Sequence, residues 1–255
     1  MKFNNKHVIG KNVKIGNNVK IGDNTIIYDN VTILDDTVIA DNCSIGEPLN
    51  AYYFEKKYEN PKTIIGSGSL IRSYSIIYAS NIIKNKLLTG HHVTIRENSQ
   101  IGENCQVGSY SDIQGDCEIG DNCRMQSYVG VGKGSNIGNY VFLYPFVILT
   151  NDPTPPSETI FGVSIGDYSI ITTSSVLLPG TQIGKNCLVS ANSCVNGKYE
   201  EDSFISGNPA KLIGKLSKMP FFNEMKIRHY PWMNNFDRNM PWNIIGYKEW
   251  KKKND

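Results

Sequence analysis

An excess of charge of either sign is the first thing this sequence lacks. Its 26 Lys and Arg stand against 24 Asp and Glu, for a net +2. A chain so balanced has no electrostatic footprint for nucleic acid, which needs clustered basic residues. Long apolar runs are missing as well. No stretch approaches 18 apolar residues, so no membrane insertion is expected. Residues 1–8 contain no apolar run, which predicts no signal peptide and a cytoplasmic location. Only 4 His and 6 Cys are present among 255 residues. The Cys spacings suit neither a disulfide framework nor a Cys-ligated zinc, and no metal site is expected. Apolar residues make up 40% of the chain, enough for a soluble protein with a core.

What is present is a period. From Ile65 to Leu149 one slot recurs every six residues: Ile65, Ile71, Ile77, Ile83, Thr89, Ile95, Ile101, Val107 and onward to Leu149, with Thr89 alone not apolar. Four residues after each slot sits a small or β-branched residue, as in Ile95/Ser99 and Ile101/Cys105. Five of the Cys (43, 105, 117, 123 and 187) occupy this small slot, so they read as buried thiols acting as small hydrophobes. A period of six fits neither a helix nor a simple hairpin. Hexapeptide repeats read as a parallel β-helix. Each hexapeptide makes one short strand and one corner, and three make a triangular coil of eighteen residues. Coils stack by parallel backbone pairing, about 4.8 Å apart. The slot fills the prism axis, and Gly or Asn takes the positive φ of the corners.

The same slot runs earlier through Ile9, Ile15, Ile21, Ile27, Ile33, Ile39 and Ile45, and later from Ile165 to Val195. The early start leaves no room for a Rossmann domain ahead of the repeat. Two stretches break the period. Residues 47–63 are aromatic and charged, bounded by Pro48 and Pro61. A loop this long is functional or disordered as a rule, and four aromatics favour an ordered one. It reads either as a flap over a corner or as a wall for a sugar or base. The second interruption, near 150–164, begins with Asn151-Asp152-Pro153. From Leu212 the composition changes: Trp232, Trp242 and Trp250 all lie there, with Pro at 220, 231 and 241. The expected organisation is a β-helix over 1–211 and a C-terminal extension over 212–255. Its residues 213–250 should form short helices and turns that cap the prism or pack on it, followed by a solvated basic tail.

The repeat, the closing Gly207-Asn208-Pro209-Ala210-Lys211, the Asn151-Asp152-Pro153 loop, Thr89-Gly-His-His with Ile95-Arg-Glu, and the Pro-Trp-rich end together resemble the hexapeptide-repeat, left-handed β-helix acyltransferases. The resemblance covers nearly the whole chain. It implies an all-β fold: a left-handed parallel β-helix, a triangular prism with two long loops and a short, mostly helical C-terminal cap. It implies acetyl-CoA as co-substrate, bound by Thr173, Ala191, Asn208, Pro209 and Lys211, where Lys211 offsets phosphate charge. It implies a homotrimer with active sites between subunits. The acceptor implied is the amine of a nucleotide-linked amino sugar, of the dTDP-3-amino-3,6-dideoxyhexose kind used for bacterial surface polysaccharide. His91, Asn151 and Asp152 are the catalytic candidates. His92, Arg96, Glu97 and Tyr110 are candidates for binding the sugar nucleotide.

Steps of eighteen separate the two central histidines. His92 stacks with Tyr74, Tyr110, Tyr128 and Phe146, an aromatic column, and reads as a structural rung. His91 stacks with Ser73, Ser109, Ser127 and Pro145, all small, and stands where a ligand has space. Asn151-Asp152 orients hydroxyls or an amine, or forms an Asx turn ahead of proline, or both. An acetyltransferase acting on a sugar hydroxyl would use the same cofactor, and a non-catalytic scaffold would need neither the closing motif nor two long loops. A zinc lyase on this fold needs three convergent His, which His7, His91, His92 and His229 do not supply.

Overall fold

The structure is a computed structural model that describes residues 6–254. The readings made for residues 1–5 and 255 lie outside the described residues. Short strands, most of two residues, fall on the expected slots: Thr94–Ile95, Gln100–Ile101, Gln106–Val107 and so on along the chain. Every third strand joins the same sheet, giving faces of ten, ten and eleven strands. The first face holds Val8–Ile9 through Cys194–Val195, the second Lys14–Ile15 through Lys198–Tyr199, the third Lys20–Ile21 through Ala210–Lys215. Pairing is parallel and in register at one coil, as in Thr94 with Asp112 and Ile95 with Ile113. This is the parallel β-helix that the period of six predicts, with the left-handed winding that the resemblance implies.

The slot residues form one continuous core. Ile27, Ile45, Ile77, Ile95, Ile113, Leu143, Leu177 and Val195 are all 0% exposed. Thr89 is tolerated among them because the Arg72 amide donates to its hydroxyl at 2.8 Å. The small-slot thiols do the same work: Cys105 donates to the Gly120 carbonyl at 3.1 Å and Cys123 to that of Gly138 at 3.0 Å. Corners carry left-handed residues, mostly Asn and Asp, which adopt that conformation at the least cost after Gly. They also bind one another along the axis, as where Asn104 donates to Asn122 Oδ1 at 2.8 Å. The first described coil is open, with Ile9 and Ile15 at 40% and 46% exposure, as the end of a solenoid must be.

Of the two expected courses for the C-terminal segment, capping the prism or packing on it, the segment takes the second. It lies along the later coils of the third face and is less helical than expected. Ala210–Lys215 is a strand, antiparallel to Ser203–Gly207, so it carries sheet structure past position 212. Beyond it come two single turns, Leu216–Lys218 and Trp232–Asn234, and one helix, Tyr247–Asn254. Pro220, Pro231 and Pro241 explain the lack of longer helices, because each removes a donor and crowds the preceding turn. What fixes the path is apolar burial. Trp232, Met233, Met240 and Trp242 pack on the outward side chains Ile170 and Leu188, with Phe142 and Phe204 beside them. Trp232 Nε1 donates to the Tyr168 carbonyl at 2.8 Å, and the buried Arg124 donates to the Asn239 carbonyl at 2.8 Å. The third face is thereby covered from Arg124 onward, while its earlier positions Lys20 and Leu88 stay exposed. No helix among the described residues is long and apolar enough to cross a membrane.

Candidate active site

Two edges of the prism border the first face, and the candidate residues divide between them. The corner leading into the first face carries the aromatic column, so we term it the ladder edge. Rings of Tyr74, His92, Tyr110, Tyr128 and Phe146 lie 4.8–5.1 Å apart and within 8° of parallel. All five residues have φ between +56° and +65°. The left-handed corner costs each of them about 1 kcal/mol, and stacking offsets part of that. His92 and Tyr110 are therefore rungs whose edges remain exposed to a ligand.

His91 precedes the rung and points from the same corner. It is exposed, and its amide donates to Ser109 Oγ at 3.0 Å. Four and five coils further along its column stand Thr173 and Ala191, linked by the corner bonds Ser174 N to Pro145 O and Asn192 N to Thr173 O. The closing motif tops the column. Gly207-Asn208-Pro209-Ala210 turns the chain back, with Ser206 opposite Lys211 across the hairpin. The turn is tied down by Gly207 N to Ser193 Oγ at 3.2 Å and Ser190 Oγ to Ser206 Oγ at 2.6 Å. Asn208, Pro209 and Lys211 are exposed there. All five cofactor candidates thus share one edge with His91, four to six coils along it, or roughly 19–29 Å at the strand spacing.

Both interruptions leave the other corner, the loop edge. The first contains one turn of helix, Ala51–Phe54, and is pinned from below. Tyr58 donates to Asn60 Oδ1 at 2.7 Å, and Asn60 in turn donates to the Gly46 carbonyl at 2.8 Å. Glu47 receives the Tyr53 hydroxyl at 3.1 Å and the Ser44 hydroxyl. Burial, with Glu47 adding to it, pushes the Tyr28 phenol up to about 12. Tyr52 and Tyr53 are exposed and packed edge to face at 5.0 Å. So the loop is ordered and presents aromatic rings.

The second interruption, 150–163, folds on itself. Asp152 accepts from Thr154 N at 3.0 Å, Ser157 N at 2.8 Å and Ser157 Oγ at 2.6 Å. The Ser157 hydroxyl, followed by the two amides, holds this carboxyl below its ordinary range. Asp152 is consequently an ionised strut of its loop. Asn151 anchors the loop's return, accepting the Phe161 amide at 2.8 Å. The loop passes so near Gly134 that a Cβ on Gly162 would collide with the Gly134 carbonyl. Asn151 lies three coils from His91, about 14 Å along the axis, and across the width of the first face.

Between the loops lie the other two candidates. Arg96 donates twice to Glu97, at 3.0 Å each, and its guanidinium stands 5.3 Å over the Tyr78 ring. The Glu97 carboxylate raises the Arg96 pKa further. Asp116 and Lys133 form a pair at 2.9 Å one coil on. The structure therefore brings His91, His92, Tyr110 and the cofactor candidates to one edge. It brings Arg96, Glu97, Asn151 and Asp152 to the other. The first face joins them. Its outward positions run Ile26, Ser44, Ile76, Thr94, Asp112, Gly130, Ile148, Val176 and Cys194. Asp112, Tyr78 and Glu47 are the site residues that corner columns alone do not reveal. Reading the residue before each first-face slot isolates Asp112 as the one ionisable carboxyl of the row.

Comparison with known proteins agrees with the repeat. The family described as bacterial transferase hexapeptide (six repeats) matches residues 18–47 and 98–133. Over those residues the chain carries the hexapeptide repeat that this family is described by. Among curated relatives, the bifunctional protein GlmU of Koribacter versatilis is 25% identical over 157 residues, 58% of this chain and 30% of that protein. The putative acetyltransferase YvoF of Bacillus subtilis is 32% identical over 81 residues, 32% of this chain and 47% of that one. The chain thus spans less than half the length of these relatives. A solved UDP-N-acetylglucosamine O-acyltransferase from Moraxella catarrhalis aligns over 84% of this chain and 75% of its own, with a TM-score of 0.45 and 20% identity. The hexapeptide coils outside the two matched stretches follow the same register as those within them.

Proposed function

We propose that this hexapeptide-repeat protein transfers an acetyl group from acetyl-CoA to the amine of a nucleotide-linked amino sugar, of the dTDP-3-amino-3,6-dideoxyhexose kind. The observation that carries the reading is convergence. Every candidate residue lies on the two edges that border one face, while the later coils of the third face, from Arg124 onward, are covered by the chain's own C-terminal segment. The name of YvoF, a putative acetyltransferase, supports the group transferred.

In this reading acetyl-CoA lies along the ladder edge. Thr173, Ala191 and the 207–210 turn present exposed backbone to its amide-bearing arm, and Lys211 meets a phosphate. The sugar nucleotide lies along the loop edge: its base against the Tyr52–Tyr53 rings, its diphosphate at Arg96, its sugar over the first face. The acceptor nitrogen attacks the thioester carbonyl, the carbon–sulfur bond breaks, and the CoA thiolate leaves. The nitrogen sheds a proton to His91 or to water. A sugar amine resembles an α-amino group, with a pKa near 7.7–8.0, so a fraction is already nucleophilic at neutral pH. Active sites lie between neighbouring prisms of a homotrimer, each drawing on the first face of one copy.

The test is thiol release from acetyl-CoA in the presence of a panel of nucleotide-linked amino sugars and their hydroxyl counterparts. Release with an amino sugar, and product heavier by one acetyl group in mass spectrometry, is the expected result. Release with hydroxyl sugars alone overturns the acceptor. No acetyl-CoA binding in a calorimeter overturns the reading as a whole and leaves a scaffold.

A further inference from the structure

Asp112 is out of place on its face. Eight of the nine outward first-face positions from Ile26 to Cys194 are occupied by aliphatic residues, Gly, Ser, Thr or Cys, and one by a carboxylic acid. A carboxylate surrounded by such neighbours loses hydration, and burying a charge is unfavourable unless it is paired. The nearest cation, Arg96, is engaged by both oxygens of Glu97 and by the Tyr78 ring. The Gln114 amide and Arg96 both favour the charged form, and burial outweighs both in raising the carboxyl's pKa. A half-buried acid whose one nearby cation is diverted to another carboxylate is unfavourable in the free protein.

Its surroundings leave it accessible. Below it on the face is Thr94, with a small hydroxyl-bearing side chain; above it is Gly130, with no side chain. Ile148 leans over Gly130 and takes up part of the space the glycine leaves, one methyl lying 3.1 Å from where a Gly130 Cβ would stand. The notch is therefore one coil high, floored by Asp112 and roofed by an isoleucine. It lies midway between the ladder edge, where Tyr110 begins the strand leading to it, and the loop edge, where Gln114 follows.

We propose that Asp112 is the specificity residue of the site, a carboxylate that seats the acceptor as an ammonium group and so selects an amino sugar over a hydroxy sugar. The inference rests on the functional reading above and adds the group that recognises the nitrogen. An ammonium can neutralise the buried carboxylate and donate to it; a hydroxyl can only donate. Before attack the seated ammonium gives up one proton to water or to His91, which leaves the nitrogen its lone pair. The energy lost in desolvating Asp112 is recovered with the first ligand and not with the second. A cation of a second copy of this chain would satisfy the same carboxylate, so the experiment must separate the two sources.

The probes are a dTDP-linked 3-amino-3,6-dideoxyhexose and the matching 3-hydroxy sugar, measured by calorimetry and by kinetics on the wild-type protein and on Asp112→Asn. Expected is tighter binding of the amino sugar by wild type, and a loss of about tenfold or more of that preference in Asp112→Asn. KM for the amino sugar rises while KM for acetyl-CoA is unchanged, and the oligomeric mass by light scattering stays the same. An unaltered preference in Asp112→Asn overturns the inference and leaves the acetyltransferase reading intact. A change of oligomeric mass with an unaltered preference overturns it in favour of a subunit contact. Loss of amino-sugar preference in a protein that acetylates nothing would keep Asp112 as the cation site and remove the reaction.

Discussion

Two aspartates of the candidate site, Asp112 on the first face and Asp152 in the second loop, have opposite environments. Asp152 is held below the ordinary carboxyl range by Ser157 and two amides. The stability it lends is present above its unfolded pKa, near 3.9, and is lost as pH falls through the folded value. Asp112 is held above that range by burial, with Gln114 and Arg96 opposing. Its folded form binds the proton more tightly, so its effect has the other sign. Stability is greatest below the unfolded pKa and declines as pH rises from about 4 through the folded value. Asp112→Asn should therefore melt at or above the wild-type temperature at pH 7, and the gap should close toward pH 4. Thermal melts across that range check it; a variant less stable at neutral pH would show that Asp112 serves the fold. His91 belongs to the same scale. His91→Ala is expected to lower kcat by about tenfold or less, well short of the 10²–10⁴ that general-base catalysis can supply, because an amine acceptor is partly neutral already. Abolished turnover in a folded His91→Ala would indicate a hydroxyl acceptor. Lys211→Glu should raise KM for acetyl-CoA far more than KM for the sugar, since its exposed side chain stands at the closing turn. Equal effects on both would point to a disturbed hairpin.

At the scale of the element, the ladder and the C-terminal segment show two ways in which a repeat is decorated. Tyr110 stacks on His92 at 4.8 Å and on Tyr128 at 5.1 Å. Tyr110→Ala keeps the left-handed φ and loses both contacts, so a cost of about 1–2 kcal/mol is expected for a half-exposed pair of stacks. Urea unfolding of Tyr110→Ala beside Tyr110→Asn measures it; Asn suits the corner better and should recover part of the loss. The ladder was legible in the sequence because stacking neighbours sit eighteen residues apart and nothing else is needed to place them. The same arithmetic separated His91 from His92 and located the Cys residues. It could not show that the two long loops share an edge with Arg96 and face the ladder across one sheet, since that needs the assignment of corners to faces. Nor could it place the C-terminal segment, which has no period. Its path is decided by where Trp232 and Trp242 find Phe142, Ile170 and Leu188, contacts between residues far apart in sequence. Trp242 is 0% exposed and touches Tyr140, Tyr247 and Trp250. Its replacement by Ala should cost about 3–5 kcal/mol and free the segment from the third face.

For the whole molecule the question is what covers the remaining faces. The C-terminal segment occupies the later coils of the third. The second presents Ile64 and Ile82, the latter 49% exposed, but is otherwise polar, with Lys14, Gln100, Glu118, Gln182 and Lys198, which water serves well. The first presents Ile26 and Ile76, each 37% exposed, and Ile148 at 39%, beside a row of half-exposed rings on the ladder edge. Scattered exposed apolar residues need no explanation, but a row of them on one flat face bordered by a ring column does. Parallel packing of three prisms, first faces inward or against a neighbour's edge, would bury this row and enclose the site between copies. We therefore expect a trimer by light scattering at micromolar concentration. Ile26 and Ile76 lie on coils before that of His91, so a double Ile26→Lys, Ile76→Lys variant tests the contact without altering Asp112 or the closing hairpin. The expected result is a mass near one third of the wild type, a far-ultraviolet circular dichroism spectrum unchanged in shape, and loss of acetylation with it. A trimer that survives both lysines would place the contact on another face, and a wild-type monomer would remove the interfacial site altogether.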